Sequence, residues 1–205
     1  MRIEIPETSV VALIGVSGSG KSTFAKTHFK PTEVLSSDYF RGLISDDENN
    51  QQVSAQAFET LFYVANKRLD LGLLTVIGAT NVNKEGREPV LKLAREQNCI
   101  AVAIVLNIPE RICRSLNEKS PDRNFGAHVI TRQGEQLRRS IRHLQKEGFR
   151  YVYILESEEE DANTEIIRTP LWNNKKTRKG RLTSLEIYMV VTMSYANYCQ
   201  SSVIK

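Results

Sequence analysis

The chain has 205 residues, 40% of them apolar, and a formal net charge of +4, which suits one α/β domain with room for a short appendage. No run of about 18 apolar residues occurs, which excludes a membrane-spanning helix, and residues 1–6 do not open a signal peptide; a cytoplasmic protein without a membrane partner is expected. Cys99, Cys113 and Cys199 are odd in number and far apart, as reduced thiols would be, and His28, His128 and His143 have no metal spacing.

In chain order, Val10, Val11, Ala12, Leu13 and Ile14 read as a buried strand. Residues 15–22 follow as Gly-Val-Ser-Gly-Ser-Gly-Lys-Ser, a full match to the phosphate-binding loop G-x-x-x-x-G-K-[ST]. Its glycines let successive backbone N–H groups turn inward around phosphate oxygens, Lys21 adds a point charge, and the Ser22 hydroxyl can ligate Mg²⁺. A helix over 22–29 places the phosphates at a helix N-terminus. Gly15, Ser17, Gly18, Ser19, Gly20, Lys21, Ser22 and Thr23 are therefore the candidate nucleotide-binding residues, with Ser22 as the metal ligand.

A short strand over 33–35 leads to Ser36-Ser37-Asp38-Tyr39-Phe40-Arg41. Asp38 is placed to accept a proton from an acceptor hydroxyl; the alternative is that it caps a helix over 39–44. Arg41, one turn on, can bind a phosphate bidentately. A long helix over 53–71 shows Phe58, Leu61, Phe62, Ala65 and Leu69 on one face and is stopped by Gly72. A strand over 73–77, a helix over 88–97 with Pro89 in its first turn, a strand over 100–106 and a helix over 109–117 continue the alternation. A polar stretch at 120–127 containing Asp122 and Arg123 reads as a lid, and a basic helix over 129–147 ends at Gly148. The last strand covers 151–155; from about residue 156 the pattern fails. Such alternation implies a parallel sheet with helices on both faces. It gathers the loop at 15–22, the segment at 36–41, Thr80-Asn81 and the segment after Leu106 around one cleft at the strand ends.

The phosphate loop together with Ser37-Asp38, Arg41-Gly42, residues 45–49, Ala79-Thr80-Asn81-Val82 and residues 145–153 resembles the N-terminal 5′-kinase domain of bacterial polynucleotide kinase–phosphatase, an RNA end-healing enzyme. The resemblance covers about residues 1–170. It implies an α/β, P-loop kinase-type sheet with a helical lid, ATP and Mg²⁺ as cofactors, and a 5′-hydroxyl polynucleotide, RNA or DNA, as partner; it also allows a homodimer. It makes Lys21 catalytic and Lys21 and Ser22 the residues that serve ATP and Mg²⁺. Asp38 becomes the general base for the 5′-hydroxyl, Arg41 the clamp on the acceptor strand's phosphate, and Arg123 a lid arginine. Leu116 and Ser120 depart from the resemblance where lid arginines are expected, and Gly78 where an aspartate precedes Ala79-Thr80-Asn81. The alternatives are an ATP-binding protein without turnover and a small-metabolite P-loop kinase.

Residues 171–205 read as a polar linker and an unpatterned tail, expected to be disordered. With synonymous codons, residues 180–205 shifted by one base yield GPFDVIGDIHGCYDELCQLLSKFGY. That stretch carries the G-D-x-H-G opening of a metallophosphoesterase, the module the resemblance implies next. A one-base deletion near Thr177-Arg178 is therefore expected, and the tail is assigned no function.

Overall fold

The computed structural model describes residues 1–119 and 126–170. The expectations for Ser120, Asp122, Arg123 and residues 171–205 lie outside the described residues. The chain divides into two units, Met1–Leu171 and Trp172–Lys205, and the described residues all belong to the first.

The elements in chain order are β1 (Arg2–Pro6), β2 (Ser9–Ile14), α1 (Lys21–His28), β3 (Val34–Ser36), α2 (Ser37–Ser45), α3 (Ser54–Asp70), β4 (Thr75–Gly78) and α4 (Lys84–Glu96). They continue with β5 (Ile100–Leu106), α5 (Glu110–Glu118), α6 (Ala127–Ser140), α7 (Leu144–Glu147), β6 (Tyr151–Leu155), α8 (Glu158–Ala162) and β7 (Glu165–Thr169). Short 3₁₀ turns occupy Pro31–Glu33, Gln51–Val53 and Ile141–His143.

Strands β3, β4, β2, β5 and β6 lie side by side in that order, all parallel. Every residue of β2 is buried. Alternate side chains point to opposite faces, so both faces of the sheet are covered. The expected α/β architecture is the one the chain adopts. Leu13, Ile14, Ile77, Ile104 and Leu106 are among the largest fully buried side chains, each contributing roughly 1.5–3 kcal/mol through the apolar surface it removes from water.

Several local expectations shift. The helix carrying Pro89 starts at Lys84, because the Asn83 side chain accepts a hydrogen bond from the Gly86 amide at 3.1 Å. Pro89 is thus inside the helix and removes one interior hydrogen bond. The expected helix over 129–147 is instead α6, a 3₁₀ turn and α7. In α3 the buried stripe is Ala57, Leu61, Ala65 and Leu69, while Phe58 and Phe62 stack on each other at 6.4 Å, half-buried. Glu33 is not in a strand. It lies in the turn before β3 and takes a bidentate contact from Arg168 at 2.6 and 2.7 Å.

The pattern does not fail after residue 156. Helix α8 follows, capped by Ser157, and then β7, which pairs in parallel with β1. Ile3 and Ile5 on β1 are fully buried. The Tyr153 hydroxyl donates to the Glu4 carbonyl at 2.7 Å and so ties this two-stranded sheet to β6.

A buried ion pair joins α4 to α7. Arg87 donates from Nε and Nη2 to the two Glu147 carboxylate oxygens at 2.8 and 2.7 Å, and from Nη1 to the Asn81 carbonyl at 2.8 Å. The two side chains are 0% and 7% exposed. Arg87→Met should cost about 3–5 kcal/mol, because Glu147 is left as a buried unpaired charge, whereas Arg87→Met with Glu147→Met should recover most of that loss. Urea unfolding of the wild type and the two variants measures both values.

Candidate active site

The phosphate loop connects β2 to α1. Gly18 and Gly20 have positive φ, 78° and 86°. At Gly18 the constraint is double, since an added Cβ would lie 2.2 Å from the Cys113 carbonyl oxygen on α5. No L side chain fits that contact, so the glycine permits α5 to support the loop from beneath. Gly20 is the N-cap of α1 and Phe24 N donates to its carbonyl at 2.9 Å, which leaves the first-turn amides of the helix directed at the loop. Lys21 Nζ donates to the Gly15 and Val16 carbonyls at 2.8 and 2.7 Å, so its charge is held at the loop. The Ser22 hydroxyl, on an exposed residue of the same first turn, provides a single hard oxygen.

Among the described residues no group of three or more His, Cys, Asp or Glu side chains forms a metal cage. One hydroxyl beside a loop built for phosphates fits a Mg²⁺ ion that takes its other ligands from phosphate and water.

The strand register sets the rest of the site. Gly78 at the end of β4 pairs with Leu13 of β2 on one side and Ser36 of β3 on the other. The Gly15 amide donates to the Thr80 carbonyl at 3.0 Å, and Asn81, at φ 50°, donates from Nδ2 to the Leu13 carbonyl at 3.0 Å. The expected gathering of 15–22, 36–41 and 80–81 at one end of the sheet follows from these pairings.

Asp38 is on the first turn of α2, but the cap is Ser36, whose side chain accepts from Tyr39 N at 3.1 Å. Asp38 instead receives Arg41 Nη2. Arg41 is itself buried and donates from Nε to the Glu48 carbonyl at 2.7 Å. Asp38 is 25% exposed, so a carboxylate oriented by a buried guanidinium faces outward at the end of β3.

Sequence reasoning missed three contributors. Arg87 holds Asn81, as described above. Gln133 on α6 accepts from the Ser17 amide at 2.7 Å. Asp161 on α8 lies against the loop: an added Cβ on Gly20 would be 3.8 Å from Asp161 Oδ2. Glu110 on α5 could have been paired with Arg114 from its i,i+4 spacing; the structure adds Thr131 of α6 to that pair. The contacts of Gln133, Arg87 and Asp161 link distant segments and leave no local periodic signal.

A cleft of about 350 Å³ is lined by Arg111, Ile112, Ser115, Leu116 and Lys119 along and just after α5, and by Glu158 of α8. Cys113 is fully buried and burial pushes its thiol up to about 11, which disfavours the thiolate. Burial, reinforced by Glu158 and Glu160, pushes the Asp161 carboxyl up to about 6, and Asp161 Oδ1 is buried without a hydrogen-bond partner among the described residues.

Residues 10–145 match the family described as an AAA domain. No curated protein matches the chain. Among solved structures, the Pnkp1/Rnl/Hen1 RNA repair complex is similar at 20% identity and a TM-score of 0.58, over 68% of this chain and 46% of that one. The AvrRxo1-ORF1:-ORF2 complex is similar at 15% identity and a TM-score of 0.51, over 74% of this chain and 55% of that one. The Mycobacterium tuberculosis APS kinase CysC in complex with AMPPNP and APS gives 20% identity and a TM-score of 0.48, over 77% and 95%. At these identities the likeness is one of fold, and the chain spans less than half the length of the first of these proteins.

Asp161 yields a pH prediction. The folded carboxyl binds its proton more tightly than the unfolded one, whose ordinary value is 3.8. Its stabilising contribution is therefore complete below that value and is lost as pH rises through about 6. Asp161→Asn should leave thermal stability unchanged below pH 4 and raise it above pH 6. Melting curves of both proteins across pH 4–8 check the sign and the window.

Proposed function

The chain belongs to the AAA-domain family, with the sheet and loop of a P-loop kinase-type domain, and on that premise we propose that it transfers the γ-phosphoryl group of ATP to the 5′-hydroxyl end of a polynucleotide. The observation that carries the reading is the position of Asp38. It stands just past the end of β3, at the same end of the sheet as the loop that follows β2, paired with Arg41 and released from capping by Ser36.

The donor phosphates lie in the loop, against its amides, the N-terminus of α1 and Lys21. Mg²⁺ bound at the Ser22 hydroxyl would supply neutralisation of phosphate charge. The cleft lined by α5 residues and by Glu158 of α8 is assigned to the nucleobase in this proposal. Asp38 accepts the proton of the acceptor hydroxyl as that oxygen bonds to the γ-phosphorus and the bridging oxygen leaves with ADP. Arg41 serves the acceptor side, orienting Asp38 and adding positive charge for an acceptor phosphate; Arg123 belongs to the same proposal as the lid arginine. A small hydroxylated acceptor is the second reading, favoured by Asp46, Asp47 and Glu48, whose exposed charges just after α2 oppose a polyanion there.

Labelled ATP with a 5′-hydroxyl oligonucleotide tests the proposal, with small sugars and alcohols as competing acceptors. Label should enter the oligonucleotide. Lys21→Ala should abolish transfer with an unchanged circular dichroism spectrum. Asp38→Asn should lower transfer by roughly a hundredfold or more, with ATP affinity little changed. Label entering only a small acceptor would replace the first reading by the second, and wild-type transfer by Asp38→Asn would remove the assigned base. Arg41→Ala should raise KM for the oligonucleotide more than for ATP; the reverse would move Arg41 to the donor side.

A further inference from the structure

Helices α5 and α6 form a tied pair. Arg114 donates to Glu110 at 2.6 Å and to Thr131 Oγ1 at 2.8 Å, and the Thr131 hydroxyl donates to Glu110 at 2.7 Å. The pair meets the phosphate loop at two consecutive residues. From α5, the Cys113 carbonyl lies where a Gly18 side chain would be. From α6, the Gln133 carbonyl oxygen accepts the Ser17 amide at 2.7 Å. The first contact is steric and holds only while the backbone keeps its place. The second is directional: it defines where α6 stands relative to one peptide of the loop.

We propose that Gln133 is a positioning residue of the donor site, whose bond to the Ser17 amide couples the α5–α6 pair to the phosphates of a nucleoside triphosphate bound in the loop. The proposal rests on the donor-site reading above. A ligand that fixes the loop fixes the Ser17 peptide, and through Gln133 it fixes α6; by linkage, docking of α6 favours the loop shape that holds the phosphates. The carboxamide suits this position because it offers an acceptor without charge. A carboxylate would keep the acceptor but repel the donor phosphates, and an apolar side chain would lose the bond.

Hydrogen exchange of α6 amides with and without ATP and Mg²⁺ tests the coupling, with ATP affinity and thermal stability measured on the same proteins. In the wild type ATP should slow exchange in α6. Gln133→Met should abolish that slowing, weaken ATP binding by about tenfold and lower the melting temperature by no more than about 5 °C, the loss of one hydrogen bond. Gln133→Glu should restore the slowing while binding ATP more weakly than wild type. Wild-type ATP protection in Gln133→Met would overturn the proposal. So would early melting with faster α6 exchange in both the presence and the absence of ATP, since the bond would then only hold the helix. If the wild type binds no ATP, the donor-site reading falls and the coupling with it; if it binds ATP without protecting α6, only the coupling falls.

Discussion

Strand β2 is hydrogen-bonded along both edges, to β4 and to β5, and covered on both faces, and this double confinement places the whole site. A strand so enclosed has no freedom of register, because a slip of one residue would exchange its two buried faces and break two ladders at once. Its C-terminal end therefore emerges at a fixed point. The chain's next strands go to one side, β3 and β4, and its later ones to the other, β5 and β6. The crevice between these two directions is where an open parallel sheet can admit a ligand. The phosphate loop occupies it because it directly follows the strand that defines it.

Around the loop, attraction and repulsion for phosphate are set close together. Lys21 and the first turn of α1 favour an anion; Asp161 and Glu158 on α8 oppose it nearby. Glu33 shows how this fold treats a carboxylate it needs. Burial alone would raise its pKa, but Arg168 and the Lys30 amide overcome that and hold it below the usual range. Asp161 has no such partner among the described residues and is pushed the other way. The contrast separates a carboxylate that holds β7 to the turn before β3 from one kept beside the loop at a cost in stability.

What could be read from the sequence was what local chemistry encodes. The loop is a contiguous motif. The buried runs at β2 and β5 are unbroken, and α3 repeats with helical spacing up to a glycine with φ of 69°. What could not be read depends on long-range pairing. Strands β1 and β7 are each five residues long and gain their hydrogen bonds from opposite ends of the described chain, so neither has a neighbour in sequence to announce it. Arg87 looks like any charged helix residue; only the arrival of Glu147 from α7 makes it a core residue. Pro89 followed the rule for helix starts, but Asn83 supplied a stronger start one turn earlier. Asp38 does not cap α2, because its neighbour Ser36 accepts the Tyr39 amide, a competition between adjacent polar residues that the sequence leaves open.

That same Ser36 ties the start of α2 to the end of β4. It faces Gly78 across the ladder, and a Cβ added at Gly78 would approach Ser36 Cβ to 3.2 Å, tighter than an ordinary van der Waals contact. A side chain at position 78 would therefore require Ser36, which caps the α2 helix that carries both Asp38 and Arg41, to give by a few tenths of an ångström. Glycine at 78 and serine at 36 are fitted to each other. Glycine at the end of β4 is thus one half of a local packing arrangement, and Asp38 and Arg41 stay paired at that end of the sheet.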